Sequence, residues 1–176
     1  MIEVLRGRRS IRSYTDQPIA AETVELLVEA LLRAPSSRNN QPWSFVLVDD
    51  RELLARLSAA KEHGSAFLKG APLGIVVCAD PARSDVWIED CAIAAILVQV
   101  VAQSLGLGSC WIQIRERSHD ADSTAQAFIR ETLGIPEQMM VASMISIGHP
   151  AEKKAPVAAG ELDYGKVFHN RWGEGE

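Results

Sequence analysis

A cluster of arginine and serine side chains near the start of the chain has the chemistry to bind a phosphate group. Four arginines and one acidic residue stand among the first twelve residues: Arg6, Arg8, Arg9, Arg12 and Glu3. These twelve residues carry a formal charge of about +3, although the whole chain carries −5. Guanidinium groups form bidentate hydrogen bonds to phosphate oxygens, and the hydroxyl of Ser10 adds a donor beside them. The segment could therefore hold a terminal phosphate, although its composition alone favours a solvated basic segment.

The other candidates for chemistry give weaker patterns. The turn Gly106-Leu107-Gly108 follows a predicted helix and opens a predicted strand, which is the reverse of a dinucleotide-binding fingerprint. The histidines and cysteines lack the spacing of metal ligands, and no Gly-x-Ser-x-Gly segment marks a nucleophile. No side chain is therefore predicted as a catalytic group or a metal ligand, and any catalysis would depend on a bound cofactor.

The elements that must position the basic segment follow from hydrophobic periodicity and from proline and glycine punctuation. We predict four helices alternating with four strands, over residues 22–34, 44–49, 50–61, 74–80, 86–105, 109–114, 122–133 and 140–148. Pro35 ends the first helix. Asp49 and Asp50 are the predicted caps of the second helix. Asp122 and Ser123 are those of the fourth. An α/β or α+β fold with a single sheet follows.

Two segments outside these elements carry polar or aromatic side chains. Residues 35–43, PSSRNNQPW, combine proline, serine and asparagine and are predicted to form a polar loop. After Pro150 the periodicity ends, and the remaining tail carries Tyr164, Phe168 and Trp172. We expect such aromatic side chains to be docked, and a partner subunit is one surface that could hold them.

The composition is that of an ordinary globular chain. With 176 residues, of which 47% are hydrophobic and 23% charged, the chain is expected to form one domain. Its net negative charge argues against nucleic-acid and anionic membrane partners. Residues 86–105 are apolar but interrupted by polar side chains, so we expect a core helix rather than a membrane span. Three widely spaced cysteines and the lack of a secretory signal favour reduced core thiols in a cytoplasmic protein.

Five segments of the chain form a recognisable set when they are taken in order: RRSIRSY, APSSRNNQPWSF, WIEDCAIAAILVQVVAQSLGLGSCWI, IGHPAEKK and KVFHNRW. This set resembles the nitroreductase family of FMN-dependent oxidoreductases, in particular its short, single-domain members. The resemblance implies an α+β fold in which helices flank a central, mostly antiparallel sheet, with residues 1–176 as a single domain. It also implies a homodimer in which residues 149–176 form an extended tail on the partner subunit.

The resemblance further implies a bound FMN and the residues that contact it. Four residues match the family's basic segment for the ribityl phosphate: Arg8, Arg9, Ser10 and Arg12. Four match the loop that runs along the flavin of the partner subunit: Pro35, Ser36, Ser37 and Asn39. Three match the strand that lies against the flavin ring: Trp111, Ile112 and Gln113. Lys154 and its neighbour Lys153 lie near a further phosphate-binding position of the family, and the alternative for them is a pair of surface lysines.

The activity that the resemblance implies is electron transfer through the flavin. Such an enzyme takes hydride from NADH or NADPH and reduces a nitroaromatic, a quinone or another flavin. Donor and acceptor would use the same pocket in turn, which gives ping-pong kinetics. Three alternatives remain open: another flavin enzyme on the same scaffold, a flavin-binding or sensing module without turnover, and a flavin-free interaction domain.

Overall fold

The fold is built on a four-stranded sheet in which all neighbouring strands are antiparallel. The computed structural model describes residues 1–173, so the last three residues of the predicted tail, 174–176, lie outside the described range. The strands are β1 (Trp43–Val48), β2 (Leu73–Ala79), β3 (Gly108–Gln113) and β4 (Met140–Gly148), in the sheet order β1-β2-β4-β3. β2 and β4 are therefore central and β3 is an edge strand. Antiparallel pairing throughout confirms the α+β class.

Helices cover both faces of this sheet. They are α1 (Ile2–Gly7), α2 (Ala21–Leu32), α3 (Arg51–Ser58), α4 (Trp87–Ser104) and α5 (Ala125–Leu133). Successive residues of a strand point to opposite faces, so the sheet has two apolar cores. Ile75 and Val77 of β2 pack with α2 and α4, whereas Val76 and Cys78 pack with α3 and α5. Every residue of β2 is buried, as expected of a strand covered on both faces.

Two helix N-termini show how far capping was predictable. Asp50 caps α3 as predicted, because its carboxylate accepts a hydrogen bond from the N–H of Leu53 at 2.8 Å. The prediction for α5 was wrong by one or two residues, since the cap is Thr124. Asp122 and Ser123 belong to the preceding turn, where their N–H groups donate to the carboxylate of an earlier aspartate.

The short helix α1 has no counterpart among the predicted elements. None of its six residues is buried, and Glu3 pairs with Arg6 on its surface. Because α1 is short and has no buried apolar side, hydrophobic periodicity did not predict this helix.

The long helix α4 forms the middle of the first core. Its 18 residues are long and apolar enough to cross a membrane by length and composition alone, but 44% of the stretch is buried within the protein. Ala94, Ala95 and Val98 are fully buried against the sheet, so α4 packs as a core helix. Its outer side leaves Ile93 and Ile96 38% and 42% exposed.

All three cysteines are free and buried, as predicted. Burial raises the pKa of Cys78 and of Cys91 to about 12 and also raises the pKa of Cys110. The three thiols are therefore protonated at neutral pH and contribute to packing.

Candidate functional site

A basic pocket forms where the start of the chain meets its tail. The pocket has a volume of about 320 Å³ and is lined by six residues: Arg8, Arg9, Ser10, Arg12, Lys154 and Val157. Lys154 donates a hydrogen bond from Nζ to the carbonyl oxygen of Ser10 at 2.6 Å, across 144 positions of sequence. The structure thus brings the predicted N-terminal residues and Lys154 together, and Lys154 is not an isolated surface lysine.

Two glycines allow the N-terminal segment to approach the sheet closely. Gly108 of β3 and Gly148 of β4 lie opposite each other in the strand register. A Cβ atom on Gly108 would lie 2.8 Å from Cβ of Ile11, and one on Gly148 would lie 2.9 Å from Cδ1 of Tyr14. A larger residue at either position would therefore push the segment away from the sheet.

Tyr14 fixes the inner side of the same segment. Its hydroxyl donates to the carbonyl oxygen of Ile11 at 2.5 Å and lies 2.7 Å from Oγ of Ser146 in β4. Burial raises the pKa of the Tyr14 phenol far above its usual value, so the hydroxyl stays protonated. Tyr14 therefore holds the backbone beneath the pocket without adding charge.

The pocket carries an excess of positive charge. Within residues 1–173, its basic side chains make a single ion pair, between Nζ of Lys154 and a carboxylate oxygen of Glu152 at 3.3 Å. The guanidinium of Arg12 lies 5.6 Å from the ring centre of Phe67, a cation–π distance, and Arg9 donates to the carbonyl oxygen of Ala155. Fixed cations with little compensating charge are the arrangement that binds a phosphate.

Beside the pocket, the edge strand β3 pairs along its length with β4 alone within residues 1–173, and on its other side it makes a single bridge, between Ser109 and Ser10. The carbonyl of Ser109 points to the open side, where it accepts a hydrogen bond from the N–H of Ile11 at 2.9 Å. Alternate residues share a direction, so Trp111 and Gln113 also present their N–H and C=O groups to that side. Ile112 points its backbone toward β4 and is 1% exposed, so the structure does not bring it to the open edge.

The side chains of Trp111 and Gln113 restrain each other along this edge. Nε1 of Trp111 donates to Oε1 of Gln113 at 3.0 Å, and Nε2 of Gln113 donates to the carbonyl oxygen of Arg115, also at 3.0 Å. Both side chains are half-buried. The open edge is therefore bordered by side chains whose polar groups are already bonded.

The polar loop lies elsewhere in the chain, between α2 and β1. It contains four residues predicted to bind the flavin: Pro35, Ser36, Ser37 and Asn39. The N–H of Ser37 donates to the carboxylate of Asp90, at the start of α4, at 2.8 Å. Within residues 1–173, no hydrogen bond or ion pair joins the loop to the basic pocket. These four residues therefore contribute no polar contact to the basic pocket of their own chain.

The backbone of this loop is unusual. Three residues other than glycine adopt the left-handed conformation: Arg38 with φ 51°, Asn39 with φ 56° and Gln41 with φ 45°. The N–H of Gln41 donates to Oγ of Ser36 at 2.9 Å, which supports the turn. Each left-handed residue other than glycine costs roughly 1–2 kcal/mol, and such strain concentrates at functional sites.

Two acidic residues at these sites were missed from the sequence. Asp90 is 2% exposed and accepts hydrogen bonds from Ser37 and from the hydroxyl of Ser84 at 2.9 Å. Glu152 accepts hydrogen bonds from the backbone beneath the pocket. A charged residue in the first turn of a helix predicted to be core requires partners, so Asp90 could have been found. Nothing in the sequence near Glu152 indicates its contacts.

Other parts of the described chain offer less chemistry. Within residues 1–173, no group of three or more His, Cys, Asp or Glu side chains is placed to hold a metal ion. A groove of about 450 Å³ on the outer face of α2 is lined mainly by apolar side chains such as Val24 and Val28. A further groove of about 340 Å³ mixes the charges of Asp16, Asp49 and Arg51. The basic pocket differs from both grooves because four of its six lining residues are cations.

Comparisons with known proteins give matches over most of the chain. Residues 5–64 and 55–149 match the nitroreductase family. A curated relative from Bacillus subtilis, described as an FMN reductase [NAD(P)H], is 31% identical in an alignment 177 positions long that covers 88% of this chain and 68% of the relative.

Solved structures show the same fold. An FMN-dependent nitroreductase from Clostridium difficile superposes with a TM-score of 0.96 at 46% identity, covering 98% of this chain and 100% of that one. An NADPH:FMN oxidoreductase from Vibrio harveyi, solved with NAD⁺, gives a TM-score of 0.82 at 27% identity, covering 99% of this chain and 79% of that one.

Proposed function

The chain belongs to the nitroreductase family, and we propose that it is an FMN-dependent oxidoreductase that takes hydride from NAD(P)H and reduces a small organic acceptor. A nitroaromatic, a quinone or a free flavin is the class of acceptor that we expect. The observation that carries the proposal is the basic pocket, because it places cations from both ends of the chain beside an open strand edge.

The pocket fits the phosphate end of FMN. Arg8, Arg9, Arg12 and Lys154 would neutralise the phosphate, and the hydroxyl of Ser10 would donate a further hydrogen bond. The segment that carries these residues pairs with β3 at Ser109, so a flavin anchored by its phosphate can extend along the strand. We expect the backbone groups of Trp111 and Gln113 to contact its ring.

The flavin supplies the redox chemistry when bound, accepting hydride from the donor and passing electrons to the acceptor. The chain's own contribution is to bind and orient. Fixed charges hold one end of the cofactor, and the strand edge leaves one side of the ring region open to substrates. Because one opening serves both substrates, we propose ping-pong kinetics.

We also propose that the functional unit is a homodimer in the cytoplasm, with residues 1–173 of each copy forming a single domain and its tail. The outer side of α4 exposes isoleucines, and the tail exposes five large hydrophobic side chains within residues 149–173: Val157, Leu162, Tyr164, Val167 and Trp172. Burying such surface against a second copy is favourable. In that arrangement the polar loop of one copy would contact the flavin of the other.

The first test is the visible spectrum of the protein after incubation with FMN and gel filtration. We expect about one retained FMN per chain, and bleaching by NADH or NADPH without oxygen. Arg12→Ala should weaken FMN binding at least about tenfold, because it removes a charged hydrogen-bonding partner. Arg56→Ala, at an exposed position of α3, is the matched control.

Two outcomes would contradict the proposal in different ways. A colourless protein would remove FMN and the site with it. Retained FMN that neither nicotinamide donor bleaches would support the alternative of a flavin-binding or sensing module.

A further inference from the structure

Glu152 connects the two segments that form the basic pocket without lining the pocket itself. Its Oε1 accepts hydrogen bonds from the backbone N–H groups of Arg12 at 2.6 Å and of Ser13 at 3.2 Å. The same oxygen lies 3.3 Å from Nζ of Lys154. One carboxylate therefore contacts the backbone that carries Arg12 and the ammonium of Lys154, both of which line the pocket.

These contacts restrict the Lys154 ammonium, which has three N–H donors. One donates to the carbonyl oxygen of Ser10 at 2.6 Å, and another is directed to Glu152. The third donor is left for the pocket. An ammonium held in this way loses less conformational entropy on binding a phosphate than a freely rotating lysine would.

Glu152 also lies at the end of a short run of backbone hydrogen bonds between the two segments. The N–H of Ala151 donates to the carbonyl of Ser13, and the N–H of Thr15 donates to that of His149, each at 2.9 Å. Glu152 continues this pairing toward Arg12 with its side chain, at the end where the pocket lies. The direction of the arginine-bearing backbone therefore depends on this carboxylate.

The charge of Glu152 works against anion binding. Hydrogen bonds from the backbone, first that of Arg12, lower the pKa of Glu152, so the carboxylate is ionised at neutral pH. An ionised carboxylate reduces the positive potential of a neighbouring phosphate site. Any benefit to phosphate binding must therefore come through the groups that Glu152 holds.

We propose that Glu152 is a positioning residue for the flavin phosphate, holding the Arg12 backbone and the Lys154 ammonium in the geometry that binds it. This proposal rests on the proposed function, since it takes the ligand to be FMN. It assigns Glu152 to the phosphate end alone, so its loss should change the affinity for FMN and not that for riboflavin, which lacks the phosphate.

The test uses two substitutions of Glu152. Glu152→Ala removes the acceptor of the backbone N–H groups and the partner of Lys154, and we expect the Kd for FMN to rise about tenfold. Glu152→Gln keeps an amide oxygen for the backbone and removes the charge, so we expect it to restore the Kd to within about threefold of the wild-type value.

The measurement is titration of each variant with FMN and with riboflavin, followed by flavin fluorescence, with thermal unfolding recorded in parallel. Glu161→Ala is the matched control, because Glu161 lies in the same tail and its carboxylate makes no hydrogen bond or ion pair within residues 1–173. We expect Glu152→Ala to lower the preference for FMN over riboflavin about tenfold, and the control to leave it unchanged.

The outcomes separate this proposal from the proposed function. If the wild-type protein binds FMN and Glu152→Ala weakens FMN and riboflavin equally, Glu152 is only structural and the positioning role is wrong. If Glu152→Ala leaves the ratio of FMN to riboflavin affinity at its wild-type value, the positioning role is also wrong. A wild-type protein that binds neither flavin would overturn the proposed function, and this inference with it.

Discussion

The basic pocket and the polar loop both expose polar groups, but the chain builds them in different ways. The pocket joins residues 8–15 to residues 148–157, and its contacts span most of the sequence. The polar loop was predicted over residues 35–43, but Trp43 belongs to β1; residues 35–42 form a local turn, and one of the groups that hold it is the buried carboxylate of Asp90. Long-range backbone packing shapes the first region. Individual polar contacts restrain the second, among them the hydrogen bonds from the N–H of Ser37 to Asp90 and from Arg83 to the carbonyl oxygen of Asn40.

Because the two regions are held in place differently, we expect substitutions to disturb them in different ways. Crowding the backbone at Gly108 or Gly148 should displace the pocket as a unit, because a Cβ atom at either position would collide with the N-terminal segment. Removing Asp90 should instead leave the half-buried N–H of Ser37 without an acceptor and release the strained backbone of the loop. If the two regions bind opposite ends of a flavin, only pocket variants should discriminate FMN from riboflavin.

The largest effect is expected from Gly148→Ala. The new Cβ would lie 2.5 Å from Cδ of Pro72 and 2.9 Å from Cδ1 of Tyr14, and the rigid proline ring cannot yield. We expect a loss of about 3 kcal/mol in the free energy of unfolding, measured by urea denaturation, together with weaker FMN binding. Gly160→Ala is the control, because nothing lies within 4 Å of its Cβ position. Equal stability of the two variants would show that close packing over Gly148 is not required.

A smaller effect is expected from Asp90→Ala. The substitution leaves the N–H of Ser37 and the hydroxyl of Ser84 without their acceptor, which costs about 2 kcal/mol of unfolding free energy. Asp90→Asn keeps an oxygen for Ser37 and should cost less. Glu89→Ala, an exposed acidic residue in the same helical turn, controls for the charge at the start of α4.

Flavin titrations of Asp90→Ala test which part of the flavin the polar loop contacts. We expect the affinities for FMN and riboflavin to fall by the same factor, because the loop is proposed to contact the part of the flavin that both molecules share. A selective loss of FMN affinity would place the loop at the phosphate instead and would contradict the assignment of the two regions.

The sequence predicted which residues line the pocket better than how the pocket is built. Residue type alone left phosphate binding and a solvated basic segment both open, and the resemblance selected Arg8, Arg9, Ser10 and Arg12, which the structure brings together. Lys154 was identified from the resemblance. The contacts of Glu152 could not be predicted, because they join positions 139 and 140 residues apart, which no local pattern encodes.

In the fold, too, some elements were predictable from the sequence and others were not. Helix α2 was predicted because its apolar residues recur at helical spacing, and β2 was predicted from a continuous apolar run, which is typical of a strand covered on both faces. The helix α1 and the cap of α5 depend on exposed residues and local competition between polar side chains. Ile112 was assigned to the site with its neighbours, but strand alternation turns it away from the open edge.

The smallest effect tests whether the polar loop stores strain. Arg38 has φ 51°. Within residues 1–173 its guanidinium makes one ion pair, at 3.8 Å with the exposed Asp85, so its side chain contributes little to stability. Arg38→Gly should raise the unfolding free energy by about 1 kcal/mol, because relief of the left-handed conformation outweighs the greater entropy of glycine in the unfolded chain. Arg38→Ala removes the same charge and keeps the strain, so urea denaturation should show no gain. A gain from alanine equal to that from glycine would assign the effect to charge, and the loop would then depend on Asp90 without being strained at Arg38.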